Sequence, residues 1–566
     1  MAIIKSPYQG IELPRPDTIF RHYLPAEARF PEYPAFIDGL TGRIISSTGL
    51  RTNALRLGLG IRNLLQRNQQ ESGQKQVALI FSPNSIDFPQ IFYGCQSVKV
   101  ITSLANASYT YQEIAHQIRD GRPKISFVHP TLYSTYQQAE DLLKRQGHDL
   151  PSVFWAVSGP EVKESRGYMS YEDLMVTEKE ARGFEGTEAE GDEAYDTALL
   201  CYSSGTTGLP KGVMTTHQNV NANGVISKPC YPSDMAYGVG SKILGCLPLY
   251  HIYGILELGI IPLLNGVTVV ILPGFTPERF FSAVATYRVT HAYVVPPIVI
   301  HMANSPLADS YDLSSLKWTR SAAAPLGKEL VAKTKARYGS ELVMSQGYGL
   351  TESTAVAACQ TVSESEKFPG SIGRLYPSVE ARLVDSDLRD VAQGEPGELC
   401  LRGPTVMKQA TANSFTEDGW YRTGDVAKIG VAGQIYIVDR LKELIKYNGF
   451  QVAPAELEAM LLKHPKVADV AVIGVVSAER ATELPRAYVV PSQSQDDSEG
   501  LSQEIIAWVA DNAADHKRLR GGCILVEAIP KSAAGKILRK ELRGWAQANQ
   551  AGQAANNPSV QRMAKL

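Results

Sequence analysis

Between Val77 and Val128 three compact apolar runs, Val77 to Phe81, Val98 to Leu104 and Ile125 to Val128, alternate with segments of helical spacing. The second such segment opens on Thr110 with Glu113 three residues later and ends near Gly121. In that pairing a hydroxyl and a carboxylate each satisfy a backbone N–H left free at a helix start. Strand and helix in alternation build a mostly parallel sheet with helices on its faces. Further strands are expected from Gly245 to Tyr250, Val267 to Pro273 and Thr290 to Pro297, the last closing on a double proline. The acidic stretch from Glu178 to Glu193 reads as an exposed linker. A chain of 566 residues exceeds what one core holds, so more than one domain is expected. Near Asp439 the composition turns to the charged run DRLKELIKYNGF and then to helix and strand alternation that ends at Lys536. This predicts an α/β protein, with a large N-terminal domain of mostly parallel sheets layered with helices (1–441). A small α+β C-terminal domain (442–566) follows, containing the polar loop Ser492 to Gly500.

Charge excludes some partners. With 56 basic against 58 acidic side chains, a net charge of −2 and no basic block, no nucleic-acid partner is expected. The seven cysteines, Cys95, Cys201, Cys230, Cys246, Cys359, Cys400 and Cys523, show no metal-ligand spacing and read as reduced thiols. The opening MAIIKSPYQGIELPRP lacks the apolar core of a signal peptide. The most apolar stretch, Gly259 to Gly274, is interrupted by Pro262 and Asn265 and is too short to span a bilayer. A soluble protein is expected. The final Ala564-Lys565-Leu566 is similar to the S-K-L address read by the peroxisomal import receptor, so a peroxisomal location is expected, otherwise a cytoplasmic one.

The chemistry is concentrated in LLCYSSGTTGLPKGVM, Leu199 to Met214. An apolar strand, Ala198 to Tyr202, runs into Ser203, Ser204, Gly205, Thr206, Thr207, Gly208 and Pro210, which surround only Leu209, before Lys211. Glycines let backbone N–H groups approach an oxyanion, hydroxyls add donors and a lysine adds a compact positive charge. A Walker A loop would need a Ser or Thr directly after the lysine to hold Mg²⁺, whereas here Pro210 precedes Lys211 and Gly212 follows it. Gly535-Lys536 fails the same test, with Pro530 in place of the first glycine and Ile537 in place of the hydroxyl. This argues against a P-loop NTPase.

The run YSSGTTGLPKG resembles the phosphate-binding motif of the adenylate-forming enzymes, which comprise acyl-CoA synthetases, carrier-protein adenylation domains and beetle luciferases. Motif by motif the chain is most similar to the 4-coumarate:CoA ligase-like branch. The resemblance implies that Ser203, Ser204, Gly205, Thr206, Thr207, Gly208 and Lys211 hold phosphate, and that His251 in CLPLYHIYG stands at the mouth of an acyl pocket. In SQGYGLTES it puts Gln346, Gly347, Tyr348 and Gly349 against the nucleotide, the Thr351 hydroxyl on the α-phosphate and the Glu352 carboxylate on Mg²⁺. Asp425 in WYRTGDV would accept the ribose hydroxyls, Arg440 would meet the nucleotide, and Lys446 and Gln451 would lie near the adenylate. Lys536 in PKSAAGKILRK matches the catalytic lysine, so Lys536, His251 and Thr351 form the implied catalytic set. The implied acyl wall comprises Tyr253, Glu257, Ala322, Ala323, Ala324, Gly347, Thr354, Ala355 and Val356.

A second half-reaction is implied as well. The small mobile domain would turn about Lys442, withdraw Lys536 and bring the loop of Asn448 and Gly449 to the site, opening a path for the thiol of CoA. Two positions depart from the pattern, since Asn448 and Gly274 stand where plant ligases typically carry lysine in the expected path of CoA. Glu257, in the apolar run GILELGII, is unexpected in an acyl wall. If it faces the pocket it must be paired, protonated or hydrogen-bonded to a polar substrate group, and if it faces solvent it means little. Ala322 replaces a glycine common among relatives and would trim the pocket.

The expected activity is that of an ATP-, Mg²⁺- and CoA-dependent acid–thiol ligase of secondary metabolism, acting on an aromatic, arylalkanoic or medium-chain carboxylic acid. Loading of a carrier protein is the alternative that the missing lysines favour, although the chain has no G-x-D-S-x carrier motif. A luciferase-like oxygenase would use the same adenylation site, and a non-enzymatic binding module is hard to reconcile with Lys536 in its full motif.

Overall fold

A computed structural model describes residues 3–8, 10–67, 75–158, 168–203, 210–232, 237–324, 326–392, 394–407, 414–448, 450–477, 480, 482–492, 498–532 and 535–555. They fall into two units, Ala2–Ala381 with Leu401–Tyr421, and Arg382–Cys400 with Arg422–Leu566. Residues 422–441, placed by composition in the N-terminal domain, thus group with the C-terminal residues.

In the larger unit the strand and helix alternation is realised. Val77–Phe81 pairs in parallel with both Ile101–Ala105 and Ile125–Val128, and helices Asp87–Ser97 and Tyr111–Gly121 provide the crossovers. Thr110 accepts from the Glu113 N–H while the Glu113 carboxylate accepts from the Thr110 N–H. The second strand begins later than expected. Val98 caps the first helix and Lys99 turns through a left-handed conformation (φ 57°), so Val98 and Lys99 end a helix instead of starting a strand. Ser152–Trp155, Thr197–Ser203 and Lys211–Thr216 complete a six-stranded sheet, parallel except for its last pair.

A second sheet of nine strands runs in the order Arg374–Leu375, Ala355–Cys359, Val343–Leu350, Trp318–Ser321, His291–Val294, Lys242–Gly245, Thr268–Ile271, Pro34–Asp38 and Ile44–Ser46. Its interior is parallel and its two ends are antiparallel. The strand expected from Gly245 to Tyr250 lies instead at Lys242–Gly245, because Pro248 has no N–H to donate. The Asn84 side chain takes over there, donating to the Leu247 carbonyl and accepting from the Leu249 N–H. Pro296 and Pro297 do not end a strand but start helix Pro296–Asn304, where a missing N–H costs nothing. The stretch Glu178 to Glu193 is no open linker. It forms helix Glu178–Ala181, capped by Thr177 and Glu180, and the turn Gly191–Tyr195, so its acidity reported exposure but not its caps.

In the smaller unit Val467–Ser477 and Thr482–Pro491 form an antiparallel pair that Cys523–Leu525 extends in parallel. Side chains alternate across a strand, and both faces are used. Val470, Val472, Ala487 and Val489 pack against Leu457, Leu461, Leu501, Ile505 and Val509, whereas Ala471, Ile473, Val475 and Tyr488 pack against Ile529, Leu542 and Ala546. Each valine, leucine or isoleucine buried this way contributes about 1.5–3 kcal/mol. Among the described residues no helix is long and apolar enough to cross a membrane, and all seven cysteines are free thiols.

Candidate active site

In the larger unit the strands on either side of the phosphate-loop sequence pair antiparallel, with Ser203 opposite Lys211 and Tyr202 opposite Gly212. Ser204, Gly205, Thr206, Thr207 and Gly208 lie outside the described residues. Both shoulders are held. The Tyr202 hydroxyl donates to Asp120 at 2.6 Å, and His116 Nε2 lies 2.9 Å from the Pro210 carbonyl. The Lys211 side chain is exposed. The Ser203 hydroxyl donates to Glu352 Oε1 at 3.3 Å, which joins the first motif to the second although 149 residues separate them.

That second motif occupies the end of strand Val343–Leu350 and a single turn, Thr351–Ser353. The strand bulges between Tyr348 and Gly349 against Ala355–Cys359. A Cβ on Gly349 would stand 1.5 Å from the Ala355 carbonyl oxygen, so only glycine fits. We expect Gly349→Ala to destabilise the protein by about 3 kcal/mol, read as a fall in the urea midpoint, because the backbone it strikes has no rotamer to yield. A wild-type midpoint would contradict this packing. Gln346 is buried and its side chain accepts from the Leu326 N–H at 3.1 Å, a fixed place beneath the motif. Thr351 and Glu352 are half-buried.

Several expected acyl-wall residues come together in the same unit. His251 precedes the turn Ile252–Gly254 and its Nδ1 accepts from the Tyr253 N–H, which leaves Nε2 as the protonated ring nitrogen. The Tyr253 hydroxyl donates to the Arg320 carbonyl at 3.1 Å. Ala323 (φ 71°), Thr354 (φ 55°) and Ala355 (φ 67°) hold left-handed backbone, which costs a residue with a Cβ about 1–2 kcal/mol. Strain of this kind gathers where a site fixes the chain. Asn223 supports the last two, its side-chain amide donating to the carbonyls of Thr354 and Val356. Ala322 and Val356 are buried, whereas Ala323 is exposed and Ala324 half-buried.

Glu257 faces the interior, which removes the solvent alternative. It sits in the turn Ile255–Ile260, fully buried, and accepts from the Tyr231 hydroxyl at 3.4 Å. Burial pushes its carboxyl up, while Arg320 and the hydroxyls of Tyr293 and Tyr231 pull the other way. Sequence reasoning missed Arg320. It is fully buried in strand Trp318–Ser321, its guanidinium 4.8 Å from the Trp318 ring centre, 5.5 Å from that of Tyr231 and 5.9 Å from that of Tyr293. One terminal nitrogen donates to the Cys230 carbonyl. Its signal was available: an arginine inside a strand, two residues before Ala322, contradicts the rule that charged side chains stay wet.

The smaller unit gathers Asp425, Arg440 and Lys536. Asp425 and Arg440 are opposite each other on strands Tyr421–Ile429 and Ile435–Arg440, with Arg440 Nε 3.1 Å from Asp425 Oδ1. Lys536 follows the tight turn at Gly535 (φ 77°), where the Ser532 and Lys536 main chains bond and Lys531 bridges Ile537. Burial lowers the Lys536 ammonium to about 8, with Arg440 adding to the effect and Asp425 and Glu443 opposing it. The nearby Arg539 donates to Glu458 Oε1 at 2.6 Å and to the Val472 carbonyl at 3.2 Å. Lys446 faces Gln451 across the hairpin of Ile445–Tyr447 and Phe450–Val452. Lys442, Lys446, Asn448 and Gln451 are exposed, Asn448 turns at φ 46°, and Gly449 lies outside the described residues.

Among the described residues no three His, Cys, Asp or Glu side chains cluster to hold a metal. A lone carboxylate such as Glu352 nevertheless suits Mg²⁺ carried by phosphates, since that ion keeps most of its oxygen ligands from water and substrate.

Residues 25–409 match the family described as AMP-binding enzyme, and residues 456–536 its C-terminal domain. The chain is 35% identical over 546 residues to a probable 4-coumarate–CoA ligase 1 of Dictyostelium discoideum, covering 94% of this chain and 95% of that one. It is also 35% identical to 4-coumarate-CoA ligase 1 of Narcissus pseudonarcissus, covering 91% of each. Among solved structures it is similar to an anthranilate CoA ligase in complex with anthranoyl-AMP, with a TM-score of 0.79 at 24% identity, covering 94% of this chain and 97% of that one. A benzoate CoA ligase from Burkholderia xenovorans gives a TM-score of 0.77 at 24% identity, covering 93% and 99%.

Proposed function

The chain belongs to the AMP-binding enzyme family as an AMP-forming acid–thiol ligase, and we propose that it activates an aromatic, arylalkanoic or medium-chain carboxylic acid with ATP and passes the acyl group to CoA. The observation that carries this reading is the grouping of Asp425, Arg440 and Lys536, a carboxylate and two cations in one place. In the first half-reaction the substrate carboxylate attacks the α-phosphorus of ATP and pyrophosphate leaves. Charge shifts across the transferring centre, and fixed cations and donors stabilise it without reorganising. Lys536 provides the mobile cation, Thr351 a hydroxyl to the α-phosphate, and the loop from Ser203 to Gly208 with Lys211 the cradle of the departing phosphates. Asp425 accepts the ribose hydroxyls as a charge-assisted acceptor. Gln346, Gly347, Tyr348 and Gly349 line the adenine, with Lys446 and Gln451 near the adenylate. Mg²⁺, when bound at Glu352, neutralises phosphate charge. In the second half-reaction the CoA thiolate attacks the acyl carbon and AMP leaves, after a turn about Lys442 that replaces Lys536 by the loop of Asn448 and Gly449. Import into peroxisomes through Ala564-Lys565-Leu566, residues outside the described set, completes the proposal.

Pyrophosphate release over a panel of aromatic and aliphatic acids, each with and without CoA, tests this reading. Acid-dependent release that rises with CoA, with the acyl-CoA identified by mass, is expected. Release that ignores CoA would favour a carrier-protein acceptor, as the neutral Asn448 and Gly274 allow.

A further inference from the structure

Two of the seven free thiols are not isolated. Cys230 closes the turn Lys228–Cys230 and Cys359 ends strand Ala355–Cys359, and the Cys230 thiol donates to the Cys359 sulfur. Both are buried, at 3% and 0% exposure. A buried cysteine ordinarily packs as a small hydrophobe, and a thiol is a weak donor and a weak acceptor, so packing alone does not ask for this pairing. A second thiol does provide a partner for oxidation.

The surroundings set this pair apart from the other thiols. One terminal nitrogen of the buried Arg320 donates to the Cys230 carbonyl and the other to the Tyr376 hydroxyl at 3.5 Å. A Cβ on Gly347 would touch both Arg320 Cδ at 3.4 Å and Cys359 Cβ at 3.7 Å, so the arginine stem and Cys359 lie side by side. Burial pushes the Cys359 thiol up, but the bond from Cys230, the Arg320 charge and the Tyr376 hydroxyl outweigh it and hold that thiol below its ordinary value. The same bond, and then burial, hold the Cys230 thiol well above its own. Burial instead pushes Cys95, Cys201, Cys246, Cys400 and Cys523 up to about 12. The thiolate is the form that attacks an oxidant, so the pair contains one prepared nucleophile and, within reach of it, one protonated partner. The cover is thin as well. The half-buried Tyr8 donates its hydroxyl to Cys230 from an N-terminal segment that pairs with the sheet only through Ile4–Lys5. Local opening of so short a strand costs little and admits a small oxidant.

We propose that Cys230 and Cys359 are a redox pair that hydrogen peroxide closes to a disulfide and, resting on the ligase reading above, that this bond slows activation of the acid. The Cys359 thiolate attacks one peroxide oxygen, an S–O bond forms as the O–O bond breaks, and hydroxide leaves. Cys230 gives its proton to that hydroxide and attacks the sulfenic sulfur; the S–S bond forms, the S–O bond breaks, and the second oxygen leaves as hydroxide, which takes the proton that Cys359 first released. Two thiols and one peroxide thus become one disulfide and two waters. A disulfide holds its sulfurs about 2.05 Å apart, far closer than a hydrogen-bonded pair, so the turn and the strand end are drawn together. The strand end lies opposite Gly347 of the SQGYGLTES motif, and its strand carries Ala355 and Val356 of the expected acyl wall. Helix His217–Ile226, ahead of the turn, holds the same region through Asn223. A shift of either thiol is therefore felt at the site.

The test treats the purified full chain with hydrogen peroxide and digests it without reductant. A cross-linked peptide pair carrying Cys230 and Cys359 is expected, in a chain lighter by two hydrogens. Pyrophosphate release with an activated acid should fall at least tenfold and return with dithiothreitol. Cys359→Ser removes the attacked thiol and should keep its release through the same treatment. Absence of this cross-link, or a cross-link through other cysteines, overturns the proposal, as does a loss of release that persists in Cys359→Ser. If that variant does not fold, the wild-type cross-link and its reversal by dithiothreitol decide. A cross-link that leaves release unchanged overturns the effect on the site. No release with any acid overturns the ligase reading and that effect with it, and the cross-link still decides whether the two thiols are a redox pair.

Discussion

Lys536→Ala is expected to slow acyl-adenylate formation about 10²- to 10³-fold, the range for loss of one group aimed at transition-state charge. Transfer from supplied acyl-AMP to CoA should fall far less, because the proposed roles give Lys536 to the first half-reaction only. Single-turnover pyrophosphate release and acyl-CoA formation from synthetic acyl-AMP measure the two steps separately. Equal losses in both would contradict the division of labour. The wild-type enzyme should carry a matching pH signature. Burial and Arg440 lower the Lys536 ammonium to about 8, so the cation is present below that pH and lost above it. Adenylation should therefore decline as pH rises through about 8, and in Lys536→Ala this limb should vanish. A limb that persists in the variant would belong to another group.

The parts of this fold that were legible in the sequence are those in which one local rule decides. Thr110 with Glu113 marks a helix start because both partners of the cap lie within one turn, and the structure forms both bonds. Val77 to Phe81 reads as a strand because five apolar residues are too few for a helix and enough for a buried strand. Where two rules compete, local reading errs. Val98 is apolar enough for a strand but closes a helix, and Pro296-Pro297 reads as a strand's end but begins a helix. In both cases the choice is made by where the chain must go next, which composition does not state.

The site divides along similar lines. Glycines such as Gly349 were visible, and the structure gives the reason in a carbonyl 1.5 Å from the missing Cβ. The bond from Ser203 to Glu352 was not visible, since it spans 149 residues. Helical phase could not orient Glu257, because its turn is π-helical and one extra residue per turn shifts every face. Arg320 was passed over because Tyr231 and Tyr293, which with the neighbouring Trp318 make its environment, are distant in sequence and only the sheet and its covering turns bring them there.

Arg539→Met is expected to destabilise the protein by about 3–5 kcal/mol, the cost of leaving one member of a buried ion pair without its partner. Arg539 and Glu458 are 13% and 12% exposed, so water cannot solvate the survivor well. The same substitution frees the Val472 carbonyl and loosens the chain three residues beyond Lys536. Burial already pushes the Glu458 carboxyl up, and Arg539 is the largest influence holding it down. Without Arg539 the folded-state value rises further above that of the unfolded chain, and the folded state then binds the extra proton. Stability of the variant should fall as pH rises from the ordinary carboxyl value of about 4.3 through the raised one, so its deficit is greatest near neutrality and shrinks in acid. Glu458→Met combined with Arg539→Met should recover most of the loss, because a pair removed whole leaves no charge to bury. Urea midpoints of the three proteins at acidic and neutral pH decide the matter. A single-variant deficit that does not shrink in acid, or a double variant no better than the single, would show that Arg539 supports Lys536 by packing and not by charge.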